Sequence, residues 1–122
     1  MNDSKNDLRE RTTEFALRIV RMYKSLPKST ETQVLGKQVL RSGTSVGAQF
    51  RESQRAKSDA DFIHKLESVL QEADETAYWL ELLVRAEIVP AKKLEALRSE
   101  IDEIIAILVT IVTKVKKRIG KL

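Results

Sequence analysis

Apolar residues recur along this chain at alternating steps of three and four, the spacing that places side chains on one side of an α-helix. Four such stripes follow one another with short breaks between them. They comprise Leu8, Thr12, Phe15, Ile19, Met22 and Leu26; Leu35, Val39, Ser42, Val46 and Phe50; Phe62, Leu66, Val69, Ala73, Ala77, Leu80 and Val84; and Leu94, Leu97, Ile101, Ile104, Leu108, Ile111 and Val115. Because short connections make consecutive helices antiparallel neighbours, the pattern predicts an all-α, up-down-up-down four-helix bundle.

Capping residues at the breaks predict where the helices begin. Thr30 with Gln33 has the spacing of a capping box for the second helix, and Ser58 with Asp61 repeats it for the third. Pro90 suits the first turn of the fourth helix, where its missing N–H is not needed. These signals predict one domain, 1–122, with helices at about 5–26, 31–54, 59–87 and 91–118.

The composition excludes several classes of protein. With 33% charged and 42% hydrophobic residues, the chain does not have the composition of a disordered protein. It has no cysteine, which excludes disulfides and thiolate metal sites and agrees with a reducing compartment. Its N-terminus is polar, and its longest apolar run, Ile104 to Val112, is too short to span a bilayer. We therefore expect a cytoplasmic protein with no membrane partner.

Positive and negative charges are segregated along the sequence. Residues 1–57 hold 12 Lys and Arg against 6 Asp and Glu, residues 58–113 hold 5 against 12, and residues 114–122 hold 5 against none. Such asymmetry can attract a polyanion to one surface, or it can hold unlike faces of neighbouring subunits together. Charge alone leaves both interpretations open.

The second helical pattern places cations on the side away from its apolar stripe, with small residues between them. Such a row can follow a phosphate backbone, and the lack of interleaved aromatic residues predicts weak sequence preference. The alternative is an ordinary solvated face on a structural or protein-adaptor oligomer with no nucleic-acid role. The candidate nucleic-acid-binding residues, for RNA or DNA, are Lys37, Arg41, Arg51 and Arg55, with Arg18 and Arg21 on an edge of the first helix that also carries Arg11.

The middle of the fourth helix is apolar on nearly every side. One bundle core cannot cover all of that surface, and an exposed apolar band is typical of a protein contact. We therefore expect a homo-oligomer in which this helix is buried between subunits. The candidate interface residues are Ile105, Ile107, Val109 and Val112.

Small residues interrupt the second helix between Arg41 and Glu52, where the sequence reads RSGTSVGAQFRE. Because a glycine costs a helix about 1 kcal/mol relative to alanine, two of them predict the close approach of another helix or of a ligand backbone. An acidic cluster in the third helix lies near small seam residues that would let the second helix approach. We therefore predict a polar network of Arg41, Gln49, Glu72 and Glu75. The acidic cluster can also be a docking surface for a basic partner or another subunit, or an ordinary solvated face.

Catalytic signatures are not found in the sequence. There is no cysteine, no serine in a triad or nucleophile-elbow context, and no glycine loop of the phosphate-binding type. Asp61, His64 and Glu67 resemble half of a di-iron site, but a complete site needs a second histidine, and the chain has one. We expect no enzymatic activity, no metal and no cofactor.

The segment from Leu35 to Leu83 resembles a known family. Its most selective parts are RSGTSVGA at Arg41 to Ala48, DFIHKLE at Asp61 to Glu67 and EADETAYWLELL at Glu72 to Leu83. These motifs are similar to those of the bacterial four-helix bundle proteins encoded by intervening sequences in large-subunit ribosomal RNA genes. The flanking helices fit as well.

The resemblance implies a non-enzymatic, cytoplasmic bundle that assembles as a homopentamer with a central opening. The chain is more distantly similar to the accessory protein of diversity-generating retroelements, which implies a basic pentamer that binds nucleic acid and a protein partner. The number of subunits follows from the resemblance alone.

Overall fold

Four α-helices account for most of residues 4–122, which are the residues that the computed structural model describes. They are α1 (Ser4–Lys24), α2 (Thr30–Ser53), α3 (Asp59–Arg85) and α4 (Ala91–Arg118), and these residues contain no strand. Each helix packs against the next, and α1 closes the ring against α4. The predicted all-α four-helix bundle is confirmed. A bilayer span needs about 20 consecutive apolar residues, and no helix in the described part of the chain meets that requirement.

The two predicted capping boxes have different outcomes. At the start of α3, the Asp61 N–H donates to Ser58 Oγ at 3.0 Å, and the Asp61 carboxylate accepts from the Lys57 N–H at 3.1 Å. The capping box predicted for Thr30 is wrong, because α2 already includes Thr30 and the extended residue before it is Ser29. The Ser29 hydroxyl donates to the Thr32 hydroxyl at 2.7 Å and caps no backbone N–H.

The buried core follows the predicted stripes on α1 and α2 closely and shifts on the other two helices. On α3 the buried residues are Ile63, Leu66, Val69, Ala73, Thr76, Leu80 and Leu83. The predicted Phe62, Ala77 and Val84 are only partly buried and pack against this core. On α4, Val112 is buried in place of Ile111. Adjacent residues lie only about 100° apart around a helix. On one helix, two adjacent sets of positions can therefore share the spacing of three and four residues. Which set is buried depends on where the neighbouring helices pack.

Glycines on α2 allow α1 to approach closely. A Cβ built on Gly43 would lie 3.0 Å from a side-chain carbon of Ile19, and one built on Gly47 would lie 3.2 Å from the carbonyl oxygen of Thr12. Of the two partners that the sequence left open, the structure therefore shows another helix. This contact holds α1 and α2 together as a tight antiparallel hairpin and leaves the opposite side of α2 for polar residues.

Candidate nucleic-acid interface

Arg41, in the middle of the predicted basic row, binds carboxylates of the same chain. Its two terminal nitrogens lie 3.1 Å from Glu72 Oε1 and 2.7 Å from Glu75 Oε1. The structure thus brings together three members of the predicted polar network, and these contacts tie α2 to α3. Because two carboxylates offset its charge, Arg41 contributes little positive potential to the surface of α2.

Gln49, the fourth member of that predicted network, lies elsewhere. It follows Arg41 by eight residues, which is about 12 Å along a helix, and it lines a cavity of about 290 Å³ with Glu52, His64 and Lys65. Its side-chain oxygen is buried and has no hydrogen-bond partner among the described residues. The network therefore does not extend along α2 as far as the sequence suggested.

Arg51 and Arg55 lie at the end of α2, where they meet a residue that the sequence analysis did not single out. Arg9 of α1 joins them, and the three arginines line a cleft of about 260 Å³ together with Glu52. We call these four residues the arginine cleft. The position of Arg9 could have been predicted from the sequence, because the start of one helix lies beside the end of its antiparallel neighbour.

Hydrogen bonds to neutral groups orient two of the three guanidinium groups in the arginine cleft. Arg9 donates to Gln54 Oε1 at 3.0 Å, and Arg51 donates to Thr13 Oγ1 at 3.0 Å. Among the side chains that the structure describes, which begin at Leu8, none of the three arginines forms an ion pair. Their three positive charges therefore outnumber the single carboxylate, Glu52, that lines the cleft with them.

The remaining candidates are divided between two surfaces. Lys37 is exposed on α2 and has no ion pair in the described part of the chain. Arg21 instead lines a cavity of about 490 Å³ together with Lys93 and Leu97 of α4. Arg18 lies on the same edge, since it follows Arg11 by seven residues, or nearly two turns. The six candidates thus form two separate groups, and Arg18 and Arg21 lie apart from the others, on the edge of the first helix where the sequence placed them.

Arg11 lies on this second edge and is neutralised there. Its Nε and one terminal nitrogen donate to the two carboxylate oxygens of Glu100, at 2.9 and 2.8 Å, and the same terminal nitrogen lies 3.1 Å from Glu103. The hydrogen bond to Glu100 is the main cause that raises the pKa of Arg11. This fork joins α1 to α4 and removes Arg11 from the cations that face solvent.

The four predicted interface residues on α4 do not form one patch. Val109 is 48% exposed, whereas Val112 is 7% exposed and belongs to the core of the single chain. Ile105 and Ile107 are half-buried, and they point about 200° apart because each residue turns the helix by about 100°. On α1, Leu17 and Val20 are 43% and 37% exposed, which the sequence analysis missed because they lie outside the apolar stripe.

The residues that resembled half of a metal site have other partners. The Asp61 carboxylate binds Lys65 Nζ at 2.9 and 3.0 Å, which lowers the pKa of Asp61 with help from the Lys57 N–H. Glu67 pairs with Lys116 at 3.0 Å, and His64 is exposed. Over the described residues there is no group of three or more histidine, aspartate or glutamate side chains that could hold a metal ion.

Comparison with known proteins bears on this arrangement. The family model described as 23S rRNA-intervening sequence protein matches residues 4–110. The chain belongs to this family. A crystal structure from Bacteroides thetaiotaomicron, of a protein of unknown function in the S23 ribosomal protein family, is similar, with 45% sequence identity and a TM-score of 0.84. The match covers 89% of this chain and 97% of that one. A search of curated proteins finds no match.

The 23S rRNA-intervening sequence family match includes both charged features of the bundle. The contacts of Arg41 with α3 and the whole arginine cleft fall within residues 4–110. The lysine-rich end of α4, from Lys114 onward, lies beyond the matched region. The unpaired cations Arg9, Lys37, Arg51 and Arg55 therefore all lie within the matched region.

Proposed function

We propose that this chain is a non-enzymatic, homo-oligomeric helical bundle that binds nucleic acid, RNA in particular, with weak sequence preference. One observation carries the proposal. The exposed cations Arg9, Lys37, Arg51 and Arg55 have no carboxylate partner among residues 8–122, whose side chains the structure describes. Cations that do not pair within the fold are free to replace the counterions of a phosphate backbone, and this term is independent of sequence.

RNA is the first nucleic acid to test because the family is described by intervening sequences of 23S rRNA. Contacts to phosphates alone would position an RNA without reading its bases. A chain with no cysteine is suited to the reducing cytoplasm, where we propose that it acts.

Self-association is supported by apolar side chains on the outside of the bundle. Leu17, Val20 and Val109 are each more than a third exposed, at 43%, 37% and 48%. Burial against a second copy would remove this surface from water and would repeat the unpaired cations around the assembly. The family resemblance makes a pentamer the assembly to expect.

Sedimentation velocity tests the assembly. We expect a mass several times that of one 13.9 kDa chain, and a shift towards the monomer for Val109→Glu. The matched control is Thr110→Glu, which adds the same charge at the next exposed position of the same helix. A folded monomer at every concentration would overturn the oligomer.

Titration of salt against the binding of a labelled, structured RNA tests the ligand. The logarithm of the affinity should fall linearly with the logarithm of the salt concentration, and Arg51→Ala with Arg55→Ala should weaken binding. Arg85→Ala is the control, because it removes a positive charge that already pairs with Glu81 at 3.0 Å. If the chain does not bind RNA even at low salt, the proposal is overturned.

The second candidate is a structural or protein-adaptor oligomer without a nucleic-acid role. It is favoured by the ion pairs that join one helix to another, Arg41 with Glu72 and Glu75, and Arg11 with Glu100. In this case the segregation of charge serves folding and assembly alone. The same RNA titration discriminates, because this candidate requires an intact oligomer that does not bind RNA.

A further inference from the structure

The three arginines of the arginine cleft differ from the arginines that join helices. Arg11, Arg41 and Arg118 face carboxylates at 3.1 Å or less. Arg9 and Arg51 are instead held by an amide and a hydroxyl oxygen, at 3.0 Å each. Neutral acceptors fix the direction of a guanidinium group without offsetting its charge. A guanidinium has five N–H donors, so each retains several for a ligand.

Like charges are gathered in the arginine cleft. Arg51 lies in the last turn of α2, Arg55 follows two residues after the end of that helix, and Arg9 approaches them from α1. Like charges that line one cleft repel each other. Glu52 lines the same cleft, but it forms no ion pair with them within the described residues. An anion in the cleft would relieve this repulsion.

We propose that the arginine cleft is a binding site for a phosphate monoester group. Three guanidinium groups and one carboxylate give the lining a net charge of +2, which matches a monoester that carries a charge near −2 at neutral pH. A phosphodiester carries a single negative charge and would leave the cleft positive. The volume of about 260 Å³ has room for a phosphate group but is small for a whole drug-sized ligand.

A phosphate monoester can come from two sources, the phosphorylated end of an RNA strand or a small phosphorylated molecule. The first source rests on the proposed function and deepens it, because the cleft would then hold the end of a strand whose backbone follows the other cations. The second source is independent of RNA. Both present the same chemical group to the same three arginines.

Binding of inorganic phosphate to the full chain tests the site directly. Side-chain NMR signals of the arginine Nε–H groups should shift for Arg9, Arg51 and Arg55 as phosphate is added at constant ionic strength. Arg51→Gln should weaken phosphate binding about tenfold, since a hydrogen bond to a charged group is worth about that factor. Arg98→Gln, which removes one charge outside the cleft, should leave it unchanged. Glu52→Gln should tighten binding, because it removes the negative charge of the lining.

Two oligoribonucleotides of one sequence, with a 5′-phosphate or a 5′-hydroxyl, separate the sources. Tighter binding of the phosphorylated strand, lost in Arg51→Gln, identifies the strand end as the ligand. If phosphate shifts the cleft signals but neither strand binds, the site stands with a small phosphorylated molecule as its source, and the proposed function fails. If both strands bind equally and phosphate shifts no cleft signal, the cleft proposal is overturned while RNA binding survives.

Discussion

Ser42 of α2 and Thr76 of α3 share a hydrogen bond of 2.9 Å between their hydroxyl groups in the middle of the core. Both residues are fully buried. Thr76 Oγ1 also lies 2.8 Å from the carbonyl oxygen of Glu72. A hydroxyl has one proton and two lone pairs. Because a carbonyl oxygen can only accept, Thr76 donates to Glu72 and accepts from the Ser42 hydroxyl. This pair fixes how α2 and α3 meet along their length.

Thr76→Val should lower the free energy of unfolding by about 1–3 kcal/mol, because it leaves the buried Ser42 hydroxyl without this partner. The double variant Ser42→Ala with Thr76→Val removes both polar groups and should recover part of that loss. Urea unfolding of the single and double variants measures the coupling. Equal stability of the Thr76→Val variant and the parent chain would show that the bond contributes nothing.

Gly47→Ala should destabilise the bundle by about 1 kcal/mol even though alanine is the better helix former by a similar amount. The new Cβ would meet the backbone of Thr12, at 3.2 Å from its carbonyl oxygen, and a packed helix cannot easily move. Gly36→Ala is the control, because its Cβ would meet side chains only, at 2.9 Å from Leu26 Cδ1 and 3.2 Å from the ring of Tyr23. The end of the Leu26 side chain can move aside, whereas the backbone of a packed helix cannot. Gly36→Ala should have a higher melting temperature than Gly47→Ala. The reverse order would contradict the close contact between α1 and α2.

Glu87→Gly should stabilise the chain by about 0.5–1 kcal/mol. Glu87 has a φ of 60° just after α3, in the left-handed region that is unfavourable for residues with a Cβ. Its N–H donates to the Val84 carbonyl and the next N–H donates to the Leu83 carbonyl, both at 3.0 Å, a helix end that usually carries glycine. Glu87→Ala keeps the strain and should show no such gain in melting temperature.

Asp61 should make stability depend on pH in the acid range. Lys65 and the Lys57 N–H lower its pKa from the ordinary value of 3.8 in the folded chain. As the pH falls below about 4, the unfolded chain takes up the proton first, so the folded state loses the stability that Asp61 contributes above that range. Melting temperatures measured from pH 6 to pH 2.5 should decrease less steeply for Asp61→Asn than for the parent. Parallel curves would exclude this contribution.

Exchange of the charges of Arg41 and Glu75 tests the contact between α2 and α3. Arg41→Glu and Glu75→Arg should each destabilise the chain, by up to about 1 kcal/mol, because side chains this exposed are well screened. The two changes together should restore part of the loss, since the pair is re-formed with opposite polarity. If the double variant loses as much unfolding free energy as the two single variants together, the 2.7 Å contact has no energetic effect.

The architecture could be predicted from the sequence because apolar spacing and short breaks suffice for a bundle. Which side of α3 is buried could not be predicted, because Thr76 is polar and its burial depends on the hydrogen bond with Ser42 of α2. Apolar spacing alone gave Ala77 the position that Thr76 occupies.

The candidate site was predictable only where one helix contains it. Arg51 is exposed on α2, as the spacing indicated, and Arg55 is exposed in the turn that follows that helix. Arg9 reaches them through the register between two helices, and this register depends on how closely Gly43 and Gly47 let α1 approach. Arg41 was assigned to both the basic row and the polar network, and only three-dimensional contacts show how much of its charge is offset.

The seam between α1 and α4 has the sparsest contacts among the four neighbouring helix pairs of the described chain, and the fork from Arg11 to Glu100 spans it. Local opening of the bundle should therefore begin at this seam, with α1 separating from α4 while α2 stays packed on α3, where the contacts are densest. Amide protons of α4 that face α1 would then exchange with solvent sooner than those that face α3.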